Sequence, residues 1–135
     1  MVGPLNARDS GEVTAPSESP ADAGARLAAE YLQLLEDGRT DDAEALLSGL
    51  SDPRELVFVG AGFTTAARRT GRTLPTAMRA QASTRQVLLG QLRDANRRDV
   101  DGLRSWVREA AQEVLTVNRL VEAARRRLGE QSSAG

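Results

Sequence analysis

Between Leu103 and Leu128 the apolar residues recur without a break. Leu103, Val107, Ala110, Val114, Val117, Val121, Ala124 and Leu128 stand in alternating steps of four and three. This is a heptad repeat, and it commits the stretch to one long α-helix with a continuous apolar seam. Val107, Val114, Val121 and Leu128 take the a positions, and alanine at two of the d positions permits close approach of another helix. Trp106 and Leu120 widen the stripe on one side. At 1.5 Å per residue the seam is about 39 Å long. It needs a cover, either the chain's own helices or a second copy. Its breadth favours an interaction seam that makes a homodimer through the C-terminal half, around Val117 and Val121.

The rest of the chain supplies shorter helices. Ser19-Pro20-Ala21-Asp22 is a helix start with an N-cap serine and proline at the first position. Leu27, Tyr31, Leu34 and Leu35 form its stripe, and Gly38 stops it. Asp41, Asp42 and Glu44 open a second helix with the stripe Ala43, Leu46, Leu47 and Leu50. Asp52-Pro53-Arg54-Glu55 starts a third. The following Leu56-Val57-Phe58-Val59 has strand-like composition, and Gly60 and Gly62 each weaken a helix by about 1 kcal/mol. The start signal and the lack of any partner strand favour helix. One smooth face, with Gly62 four residues from Ala66 and Gly60 four from Thr64, would then receive a neighbouring helix. After a turn at Thr70–Pro75, a fourth helix runs from Thr76 to Arg98, with Met78, Ala82, Leu88, Leu89, Leu92 and Ala95 apolar. Asp99 or Asp101 caps the last helix, which extends to Leu128.

The expected fold is therefore all-α: a small bundle of four or five helices over residues 20–128, dominated by the hairpin of the last two. Residues 1–19, with Pro, Gly and Ser and little to bury, read as a disordered tail, as do residues 129–135. No stretch has the apolar length of a membrane span, and no secretory signal is visible, so a cytoplasmic protein is expected. Residues Tyr31 to Pro53 resemble half of a tetratricopeptide repeat. The 34-residue spacing of that motif is not kept and no second copy follows, so no family is assigned.

What the chain lacks bears on its chemistry. All 18 basic residues are arginine, with no lysine, histidine or cysteine. That removes thiolate chemistry, Cys-ligated zinc, the histidine triad, most transition-metal sites and Schiff bases. Carboxylates, hydroxyls and arginine remain, so no enzyme and no cofactor is expected. Gly60-Ala61-Gly62 does not continue into a dinucleotide fingerprint, since Thr65 stands where the third glycine belongs. The acidic turn from Glu36 to Glu44 lacks the alternating ligands of a calcium loop.

Charge is distributed unevenly. Residues 1–55 hold 12 acids and 4 Arg, a net of −8, and residues 56–135 hold 14 Arg and 7 acids, a net of +7. A basic surface is expected from Arg68, Arg69, Arg72, Arg79, Arg85, Arg93, Arg97 and Arg98, unless the acidic first hairpin packs near it and neutralises it. Arg125-Arg126-Arg127 suits a helix C-terminus and could also form a basic tip. The function expected is a protein-interaction module, an adaptor, chaperone-like protein or assembly subunit. The alternative is a nucleic-acid-binding accessory protein that uses residues 68–98 and Arg125–Arg127.

Overall fold

The computed structural model describes residues 18–134, and among them there are five α-helices and no strand. In chain order these are α1 (Pro20–Glu36), α2 (Thr40–Ser48), α3 (Pro53–Gly71), α4 (Thr76–Ala95) and α5 (Val100–Ala134). Local signals account for most of the boundaries. Ser19 Oγ accepts a hydrogen bond from the Asp22 amide at 3.1 Å, and Asp52 accepts from the Arg54 amide at 2.9 Å. Gly38, at φ 75°, takes the left-handed turn that separates α1 from α2. Residues 56–63 are helical. Their strand-like composition yields to the capped start at Asp52 and to burial of Leu56, Val59 and Phe63 on the inner side of α3. No helix among the described residues is long and apolar enough to cross a membrane.

The arrangement follows from which glycines face which residues. A Cβ on Gly24 would overlap the backbone of Phe58, and one on Gly62 would press on Ala28 and Ala25. Both pairings, Gly24 with Phe58 and Ala28 with Gly62, advance in the same direction, so α1 runs parallel to α3. A Cβ on Gly60 would run into the Trp106 ring, and Gly71 stands against Val117. These two pairings also advance together, so α5 is parallel to α3. Helix α3 therefore lies in the middle, flanked by α1 and α5, with α2 and α4 as return segments. The two glycines do not share one smooth face as expected. Gly62 opens one side of α3 to α1 and Gly60 opens another to α5, and a central helix needs both.

The core is built around Phe63, with Tyr31 edge-on to it at 5.7 Å between ring centroids, and around Leu47, Leu56, Trp106 and Val107. Leu103, Val107, Ala110, Val114, Val117 and Val121 are all buried in this core, at most 5% exposed. Most of the heptad seam is thus interior to one chain and is not the dimer surface expected. The cover comes from the chain itself, because α3 runs along the seam in parallel. Ala124 is only half-buried and Leu128 is 65% exposed.

Three further expectations need correction. The hairpin of the last two helices does not dominate, for α4 buries none of its residues fully. It touches the core through Met78, Leu89 and Leu92, while Val87 and Leu88 point outward at 60% and 58% exposure, and it ends at Ala95, before Arg98. The long helix does not stop at Leu128 but continues to Ala134. Gly129 costs only about 1 kcal/mol of helix propensity and no proline follows to break the ladder. The segment expected to be disordered at the N-terminus lies outside the described residues up to position 17; Glu18 pairs with Arg26 and Ser19 caps α1.

Candidate functional site

Two sets of charged side chains emerge, one that ties the helices together and one that faces outward. The first joins α1, α2 and α5. Arg108 grips the Glu44 carboxylate with Nε and Nη2 at 2.9–3.1 Å, and the Tyr31 hydroxyl donates to the same carboxylate at 3.4 Å. One turn earlier, Arg104 donates to the carbonyl oxygens of Ser48 and Leu50, which closes the C-terminal end of α2. The acidic first hairpin is thus engaged by α5. Arg108 holds the Glu44 carboxyl below its ordinary value through its hydrogen bonds, and the pairing raises Arg108 in turn. Burial raises the Tyr31 phenol, and the neighbouring Glu44 charge adds to this.

Because folding lowers the Glu44 pKa, the pair stabilises the native state fully above about 4.5 and loses that contribution as acid titrates the folded carboxylate. Stability should therefore fall as pH drops from 5 toward 3, and Arg108→Met should make that fall shallower. Urea midpoints measured across that range test it. An unchanged slope in Arg108→Met would separate the pair from acid sensitivity. Both side chains are about two-fifths exposed, so the effect is a modest one.

The outward-facing set contains the predicted basic residues. Arg68, Arg69, Arg72 and Arg79 are exposed and have no acidic partner among the described residues. Among the described residues the acidic first hairpin forms no ion pair with these four arginines. Arg98 is likewise exposed, while Arg93 and Arg97 share Asp94 at 3.0 and 3.2 Å. Arg68 and Arg69 occupy the last turn of α3, where cations offset the helix dipole. Helix α4 has no side-chain N-cap and, unlike the other four helices, no acid in its first turn, where it carries Arg79. Arg68, Arg72 and Arg79 line one groove of about 500 Å³ between α3, α4 and α5. Arg125, Arg126 and Arg127 stand apart from it, exposed on α5.

Arg85 is the exception within the predicted set. It turns inward and its Nε donates to Glu113 Oε1 at 2.6 Å, where the Glu113 side chain is only 6% exposed. Glu113 Oε2 and Arg85 Nη2 are buried and find no hydrogen-bond partner among the described residues. The pair was missed, yet its register was visible. Met78, Ala82, Arg85, Leu89 and Leu92 step by four and three along α4, with arginine at the centre. Trp106, Glu113 and Leu120 recur every seven residues along the edge of the α5 stripe, with glutamate at the centre. Each inward-facing stripe carries one charge at the same level, so the two meet.

These groups can bind anions and hydrogen-bond donors. Among the described residues no group of three or more carboxylates gathers as a metal site would require. The chain matches no protein-family model, no curated protein and no solved structure.

Proposed function

We propose that this chain is a non-enzymatic protein-interaction module, of the adaptor or assembly-subunit kind, and that it docks an acidic amphipathic helix of another protein on α4. The observation that carries this reading is α4 itself. It is a 20-residue helix that buries none of its residues fully and turns Val87 and Leu88 to solvent, Val87 on the same groove as the exposed Arg68, Arg72 and Arg79. An apolar strip with a basic margin is complemented by an apolar strip with an acidic margin. A second copy suits this face poorly. Antiparallel pairing of α4 with itself would bring Arg79 of one copy toward Arg93 of the other, with Asp94 as the one acid on the helix to offset them. The seam first considered for a dimer has Val117 and Val121 inside the chain.

A fluorescent peptide with leucine at heptad a and d positions and glutamate elsewhere provides the test, beside a scrambled peptide of the same composition. At physiological salt the ordered peptide should bind at least about tenfold more tightly than the scrambled one. Leu88→Glu should abolish the difference. Equal binding of the two peptides would sink the reading.

The nucleic-acid alternative rests on the unpaired arginines of α3 and α4 and the exposed Arg125–Arg127 cluster. A 20-base-pair duplex included in the same assay would favour it by binding with steep salt dependence while the peptides remain indistinguishable.

A further inference from the structure

We infer that the groove between α3, α4 and α5 is a binding site for a small phosphate ester that carries a hydroxyl or amine donor close to its phosphate. Three observations meet in this groove. Its walls hold Arg68 and Arg72, one turn apart at the end of α3, and Arg79 in the first turn of α4, all exposed and without an acidic partner among the described residues. Its volume of about 500 Å³ matches sites that hold small ligands. Glu113, buried to 5% exposure, lines the same groove and has one carboxylate oxygen without a hydrogen bond.

Guanidinium groups converging on one cleft recognise phosphate by charge-assisted, often paired hydrogen bonds. The start of α4 adds to this positive field, since no first-turn acid offsets its backbone amides. The carboxylate does not cancel it, because Arg85 already neutralises Glu113 at 2.6 Å. What Glu113 adds is selection. An unsatisfied buried acceptor disfavours an occupant that brings only acceptors and favours one that brings an O–H or N–H. Ser83 and Gln86, also on the groove wall, offer further hydrogen bonds to such a ligand. The methyl phosphate dianion meets the first requirement and, with no O–H or N–H, fails the second. A sugar phosphate meets both.

The docking reading for α4 shares Val87 and the arginines with this groove but also needs Leu88, which does not line it, so Leu88→Glu tests docking and leaves the groove lining intact. Calorimetric titration of the full chain with ribose 5-phosphate, methyl phosphate and ribose tests it. Ribose 5-phosphate should bind at least about tenfold more tightly than methyl phosphate, and ribose should not bind detectably. Arg72→Ala/Arg79→Ala replaces two exposed side chains and should abolish binding of both phosphates while the melting temperature holds. Glu113→Gln should leave methyl phosphate binding intact and reduce the preference for ribose 5-phosphate to below about threefold. Should that variant fail to fold, the comparison of the two esters on the unaltered chain still decides. Absence of ribose 5-phosphate binding at millimolar concentration, or equal affinity for the two esters, overturns the proposal.

Discussion

Val114→Glu is expected to unfold the protein outright. Val114 is 3% exposed, in the middle of the α5 seam, and lines none of the five main surface grooves. Losing a buried valine removes about 1.5–3 kcal/mol, and an unpaired carboxylate in its place costs several more unless it is protonated. Together these rival the whole stability of a small domain, about 5–15 kcal/mol. Leu128→Glu, on the same seam two heptads later, should leave the melting temperature within a degree or two, because Leu128 is 65% exposed. Circular dichroism melts and sedimentation of the two variants test the contrast. A Val114→Glu protein that kept its helical signal and changed only its association state would mean that the seam joins two chains.

The second large effect is expected at the Arg85–Glu113 pair. Arg85→Met leaves the Glu113 carboxylate nearly buried and alone, and removal of one member of a buried pair typically costs about 3–5 kcal/mol. The double variant Arg85→Met/Glu113→Leu should recover most of that loss, since α4 and α5 would then meet through continuous apolar stripes. The two buried atoms without partners, Arg85 Nη2 and Glu113 Oε2, would be gone as well. Denaturant unfolding of the two single variants and the double gives the coupling energy directly. If the double variant were as unstable as Arg85→Met, the pair would contribute to stability in its own right, and the desolvation argument would fail. A stabilised double variant would suggest that the pair is retained for what it binds.

The helices were legible in the sequence because their signals are local. Ser19 and Asp52 cap the helices they were expected to cap, Gly38 turns as expected, and the four-and-three spacing from Leu103 onward describes one helix. Even the ambiguous stretch at Leu56–Val59 was resolved by the start signal at Asp52-Pro53. What the sequence concealed is which helix meets which. Parallel packing of α1, α3 and α5 depends on glycines whose neighbours are 34 and 46 positions away, Phe58 for Gly24 and Trp106 for Gly60. Spacing along one helix carries no sign of it. For the same reason the breadth of the seam favoured a second copy over the chain's own helices.

The candidate site was legible in composition and not in grouping. The acid-free run from Leu56 to Arg93 did mark a basic region, and four of its six arginines, Arg68, Arg69, Arg72 and Arg79, are exposed. Nothing local distinguished Arg85, which turns inward, from Arg79, which does not. That difference becomes readable only when the stripes of α4 and α5 are aligned. The tie between the acidic hairpin and Arg104 and Arg108 was equally hidden, because those partners stand more than fifty residues apart.

The length of α5 also bears on how the chain would be cut. Up to residue 130 its last buried residue is Val121, and Arg125, Arg126 and Arg127 follow on exposed helix. A protease specific for arginine meets three consecutive scissile bonds there, on exposed helix beyond the packed turns, where local opening costs little. Cleavage at that point would remove the end of the helix and spare every buried position from Leu103 to Val121. The shortened chain would keep its core and groove and lose one basic cluster, so tryptic trimming offers a way to separate what the two groups of arginines do.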